Sequence, residues 1–162
     1  MICTIIVPEN APEWSCLNEY ESPVSDIKRE ILKILRLLIM GGYTEFYINC
    51  EYTISLWTAE LICKIKESHP IRMHIAVPHE EQCAQWTEHY RDRYFHLHEA
   101  ADSVHFVSKR FSKDCYQKTE KFMAERSDLV VIFGCLENAS SIVRYAESIN
   151  VPTEIISIIT QA

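Results

Sequence analysis

The sequence predicts an α/β fold: a three-layer Rossmann-like sandwich, with a mostly parallel sheet of about six strands and helices on both faces. Three observations carry this expectation. Short apolar runs alternate with longer stretches whose apolar residues recur at helical spacing. The helical stretches are long enough to serve as crossovers between parallel strands, which a hairpin turn is not. The run Leu129-Val130-Val131-Ile132-Phe133 is wholly apolar and mostly β-branched, the composition of a buried strand.

The elements follow in order. Ile2 to Val7, stopped by Pro8, is the first strand, and residues 8 to 22 form a loop carrying Pro8, Pro12, Trp14 and Tyr20. Trp14 and Tyr20 fit either closure over a ligand or packing on the sheet edge. Ser22-Pro23 reads as a cap followed by a first helical proline. Ile27, Ile31, Ile34, Leu35 and Leu38 continue at helical spacing until Gly41-Gly42 ends the helix. Phe46 to Cys50 is the second strand. Thr53 is placed to cap a helix whose face is Ile54, Trp57, Leu61, Ile62 and Ile65.

Ile71 to Val77, between prolines, is the third strand. Residues 80 to 101 read as one or two helices, with Trp86, Tyr90, Tyr94 and Leu97 at core spacing. Val104 to Val107 is the fourth strand. A helix capped by Ser112 runs to Arg126, with Tyr116, Phe122 and Met123 inward. Leu129 to Phe133 is the fifth strand. Ile142, Val143, Ala146 and Ile149 define the last helix, capped by Asn138 or Ser140, and Glu154 to Ile159 is the last strand.

The 162 residues fit a single domain spanning 1–162. With 23 acidic against 16 basic residues, the net charge of −7 argues against a broad nucleic-acid interface. No apolar run reaches the roughly 20 residues that span a bilayer, and no basic-then-apolar leader opens the chain. The seven cysteines are scattered singly with no Cys-x-x-Cys pair, which fits a reducing compartment, so a cytoplasmic location is expected.

In open parallel sheets ligands bind outside the carboxyl ends of the strands. Those ends supply Glu9 and Asn10; Asn49, Cys50, Glu51 and Thr53; Pro78 and His79; and Gly134, Cys135, Asn138, Ser140 and Ser141. The last group is the foremost candidate, because Gly134 permits a close turn and the polar residues sit at a helix start. Its alternative is that Asn138 or Ser140 only caps the helix. Glu51 and Glu137 are the residues that would act as acid and base if the site cleaved a glycosidic or N-glycosidic bond. The seven histidines lack familiar ligand spacing, so no metal is expected and they read as scattered surface residues. Cys135 reads as a buried inert thiol rather than a nucleophile.

Beyond these residues, Asn49 to Glu60 (NCEYTISLWTAE), Ile75-Ala-Val-Pro78 and the stretch Cys115 to Ile156 carry a family pattern. The last holds CYQKTEKFMAERSDLVVIFG and then ENASSIVRYAESINVP. In element order and these side chains the chain resembles the YpsA-type branch of the SLOG superfamily. These are Rossmann-like proteins related to the DNA-processing protein A and lysine-decarboxylase-like (LOG) groups. The resemblance implies a site for nucleotides or nucleotide-derived ligands.

The departures from the pattern lie in the turns. Where such proteins carry glycines, this chain has Pro8-Glu9-Asn10, Asn49-Cys50-Glu51-Tyr52 and Glu137-Asn138-Ala139-Ser140-Ser141. The LOG motif of paired glycines, threonine and catalytic glutamate is missing. The expectation is therefore a divergent, non-catalytic binding module for a nucleotide-derived or other small polar ligand, without cofactor and with homo-oligomers in view. The rival readings are a hydrolase of a nucleoside-type bond, and a protein-interaction domain using the first loop and the long helix from Pro23.

Overall fold

The computed structural model describes residues 1–8 and 17–158. Strands and helices alternate as β1 (Ile2–Ile6), α1 (Ser22–Met40), β2 (Glu45–Ile48), α2 (Ile54–Lys66), β3 (Arg72–Val77) and α3 (Glu88–Ala100). They continue as β4 (Ser103–Phe106), α4 (Cys115–Ala124), β5 (Leu129–Phe133), α5 (Leu136–Ser148) and β6 (Thr153–Ile156). The six strands form one sheet in the order β4-β3-β2-β1-β5-β6. Every neighbouring pair is parallel, so the sheet is wholly rather than mostly so.

The side-chain alternation of the strands divides the core in two. Ile5, Ile75, Val77, Val131 and Phe133 pack with α1, α2 and α3 on one face. Ile6, Ala76, Val130 and Ile132 pack with α4 and α5 on the other. This is the three-layer sandwich. Burial on both faces is why β5 is apolar at all five positions.

α1 buries Val24, Ile27, Ile31, Leu35 and Leu38, the stripe its spacing predicts. Its C-terminus closes in a Schellman arrangement: Gly42 N–H donates to the Ile39 carbonyl at 3.0 Å and Tyr43 N–H to the Leu38 carbonyl at 3.1 Å. Gly42 makes this turn at φ +95°, where a side chain would be strained.

Helix starts differ from expectation. Ser22 is already helical, and Glu21 holds the cap position without a side-chain bond. Ser112 gives its hydroxyl to Asp114, which takes the cap position of α4, and that helix stops at Ala124 rather than Arg126. Asn138 and Ser140 lie inside α5, whose cap position is Cys135. The short polar residues were read from composition, whereas the break in backbone angles fixes the cap. Residues 80–101 hold one helix, α3, preceded by turns.

Candidate functional site at the carboxyl ends of the strands

The order in which strands are added to the sheet reverses between β1 and β5. These strands are paired (Ile6 with Ile132), yet α1 and α5 leave them toward opposite faces. A crevice opens at such a point, and ligands of doubly wound folds bind there. Glu9 and Asn10, which follow β1, and Trp14 lie outside the described residues.

On the β5 side, Gly134 donates its N–H to the Ile156 carbonyl at 3.1 Å and turns with φ 154°. Cys135 is exposed rather than buried, and it begins α5 with no side-chain cap bond. The first-turn N–H groups of a helix have no partner in the helix itself and carry its positive dipole end. Glu137, Asn138 and Ser141 are exposed around this end, and Ser140 is half-buried. This turn therefore presents backbone donors and polar side chains to solvent.

The turn after β2 is built differently. Asn49 is buried, and its Oδ1 accepts the Glu51 N–H at 3.1 Å and the Ser55 hydroxyl at 2.7 Å. Glu51 Oε1 accepts the Tyr52 N–H at 2.8 Å, and Oε2 accepts Gln82 Nε2 at 3.2 Å. Gln82, which the sequence reading passed over, is buried and also donates to the Asn49 carbonyl at 3.1 Å, while its Oε1 accepts the Tyr94 hydroxyl at 3.0 Å. A glutamine in a polar loop carries no sequence signal for this role. Cys50 is fully buried, and burial pushes its thiol well above its ordinary range, so it is a poor nucleophile.

Two residues of this turn hold left-handed backbone angles without being glycine: Cys50 at φ 53° and Thr53 at φ 72°. Thr53 occupies the cap position of α2 through its carbonyl, which accepts the Trp57 N–H at 2.9 Å, and makes no side-chain cap bond. A β-branched residue at positive φ is strained. No glycine stands in this turn, yet its main chain takes angles that favour glycine.

The structure thus gathers the sequence candidates at one end of the sheet, in two groups with β1 between them. Gly134 to Ser141 faces solvent; Asn49, Cys50 and Glu51 turn inward and hold the loop together. A further network fixes the start of α1. Arg93 makes paired bonds of 2.6–2.8 Å to Glu19 and 2.7 Å to Glu60, and Lys28 and Tyr90 also reach Glu19. Arg93 is the main reason that the Glu19 carboxyl is held down to about 2.

The histidines are not simply scattered on the surface. His74 Nε2 bonds Glu45 at 2.9 Å, His74 Nδ1 bonds Ser103 at 2.7 Å, and Ser103 bonds His105 at 2.8 Å. His79 is buried. Among the described residues, no three His, Cys, Asp or Glu side chains are grouped to hold a metal ion. No described helix is long and apolar enough to cross a membrane.

Comparison with known proteins agrees with this architecture. The profile of the YspA SLOG family (YpsA) matches residues 11–154. The chain is 32% identical over 127 residues to a UPF0398 protein of Halalkalibacterium halodurans, covering 76% of this chain and 67% of that one. A UPF0398 protein of Oceanobacillus iheyensis is 25% identical, with 74% and 66% covered. One from Staphylococcus saprophyticus is 30% identical, with 67% and 60% covered. The matched part is about two thirds or less of each relative's length. Among solved structures, the X-ray structure of TM1055, a Northeast Structural Genomics Consortium target, aligns with a TM-score of 0.55 at 14% identity. That alignment covers 94% of this chain and 71% of the other, and supports the fold.

Proposed function

The chain belongs to the YspA SLOG family, and from that premise we propose that it is a non-catalytic binding module for a nucleotide-derived or other small polar ligand. One observation carries the reading. At the β1–β5 reversal α5 begins without a side-chain cap, behind Gly134, with exposed Glu137 and Asn138 around its free N–H groups. Such an end attracts negative or hydroxyl-bearing groups. Catalysis is disfavoured at Glu51, because each of its carboxylate oxygens is already held by the protein. The exposed carboxylate of Glu137 at this end favours a ligand of low charge over a triphosphate.

Calorimetry and thermal shift against nucleosides, nucleoside monophosphates and nucleotide sugars test the reading. Saturable binding of at least one, weakened by Gly134→Val and unaccompanied by turnover, is expected. No binding across the panel overturns it. Base release by the wild-type protein that Glu51→Gln or Glu137→Gln abolishes would establish the hydrolase instead.

A second reading, an interaction domain, is favoured by α1. Leu37 and Met40 are 67% and 83% exposed, and Met40 borders a groove of about 630 Å³ lined also by Leu32, Ile39, Leu61 and Ile65. Light scattering checks it: self-association that Met40→Glu removes supports it, and a monomer at all concentrations tells against self-association.

A further inference from the structure

His79 follows β3 at the same end of the sheet as the turns after β2 and β5. It is 8% exposed, and its Nδ1 is buried with no hydrogen-bond partner. Leaving a polar atom so is destabilising, and a phenylalanine of similar shape would avoid that cost. Two other buried atoms share this condition among the described residues, Trp57 Nε1 and His98 Nε2. Their rings sit on helix faces, Trp57 under Lys28 Nζ at 5.1 Å and His98 against Tyr94 at 4.1 Å. His79 alone of the three lies in a strand-end loop.

Its main chain is fixed. The carbonyl accepts the Gln82 N–H at 3.1 Å, and the neighbouring Glu80 N–H donates to the Lys109 carbonyl at 3.4 Å. Around the ring stand two aromatic side chains, both nearly perpendicular to it: Phe111 at 5.4 Å and Tyr116 at 6.2 Å. Phe111 is 65% exposed, on the loop between β4 and α4. An exposed phenylalanine on a connecting loop adjusts its position more easily than a core ring.

We infer that His79, Phe111 and Tyr116 form a subsite for a nucleobase, with the base stacked on the two aromatic rings and a ring nitrogen or exocyclic group bonded to His79 Nδ1. This rests on the small-ligand reading above and specifies the ligand class. The geometry of the sheet agrees. From β3 to β5 there are three strand spacings, in the order β3-β2-β1-β5, or about 14 Å. An extended nucleotide derivative laid across the strand ends covers that span, with its base at His79 and its polar end at the start of α5.

The full chain is titrated calorimetrically with adenosine, uridine and their 5′-monophosphates, with ribose 5-phosphate as the base-free control. Melting temperatures are measured without ligand for wild type, His79→Phe and Phe111→Ala. At least one base-bearing ligand should bind, and ribose 5-phosphate at least about tenfold more weakly. His79→Phe should weaken binding about tenfold, the loss of one hydrogen bond, without lowering the melting temperature. Phe111→Ala should weaken it by a similar factor through lost stacking.

Unchanged affinity in His79→Phe overturns the subsite while leaving the binding module standing, as does equal binding of ribose 5-phosphate. A melting temperature several degrees lower in unliganded His79→Phe assigns the nitrogen a structural role and also overturns it. Binding by none of the probes, nor by any nucleotide sugar, removes both readings.

Discussion

Thr53 illustrates how a backbone angle can be illegible in the residue that adopts it. Its φ of 72° is an angle that glycine adopts freely and a β-branched residue resists. Thr53→Gly should therefore raise the melting temperature, by the equivalent of about 1 kcal/mol, while Thr53→Ala brings no such gain. Thermal unfolding of the two variants decides the matter. Loss of stability on Thr53→Gly would mean that the small buried side chain outweighs the strain.

Glu19 makes a pH-dependent contribution of known sign. In the fold Arg93 foremost, helped by Lys28 and Tyr90, holds its carboxyl at about 2, below its ordinary 4.5. A depressed acid contributes in full above its unfolded value and loses that contribution as pH falls toward the folded one. Stability should thus drop between about pH 4.5 and 2, and Glu19→Gln should flatten that slope. At neutral pH the same variant should cost about 3 kcal/mol, since Arg93 and Lys28 lose a shared, largely buried partner. Urea unfolding at several pH values measures both.

Among the elements, the edge strand β4 is held by more than its ladder. The chain Glu45–His74–Ser103–His105 runs across β2, β3 and β4 on one face. An ionised Glu45 only accepts, so His74 Nε2 carries a proton. With both rings neutral, Ser103 donates to His74 and accepts from His105. Burial first, then the charges of His74 and Arg126, lowers the His105 pKa. A histidine lowered in the fold favours unfolding once protonated, so its contribution is complete above the ordinary value of 6.5 and fades as pH falls below it. Nitrogen-15 NMR should find the His105 ring titrating below 6.5, and melting temperature should decline from pH 7 to 5 less steeply in His105→Phe. A ring titrating at or above 6.5 would contradict the account.

Over the whole molecule, the element order was legible because long apolar periodicities survive single substitutions. The five residues of β5 and the stripe of α1 are examples. Of the candidate site, the placement of its residues at the carboxyl ends of the strands was legible, and their bonding less so. Asn49 and Glu51 read as candidate ligand contacts, yet their side chains bond inward, to Glu51 N–H, Ser55 and Tyr52 N–H nearby and to Gln82 from a distant loop. Arg93 and Glu19 are far apart in sequence, so nothing local announces their pairing. Hydrogen exchange should follow the sheet order. Amides of β1, β2 and β5, in the sheet interior, exchange last; those of β4 and β6, with mostly incompletely buried residues, exchange earlier. Equal protection across the sheet would tell against that gradient.

The division of helices between the two faces also orders events during synthesis. β1 to β4 and the three helices that cover their first face are made before α4 and α5 exist. Until those arrive, Ile6, Tyr47 and Ala76 belong to an apolar surface with nothing to cover it. At about 5–20 residues per second, the delay from the end of β3 to the end of α5 lasts from about 4 to about 14 seconds. Ribosome-bound chains stopped before Cys115 should therefore recruit holding chaperones, and release them once Ser148 has left the exit tunnel.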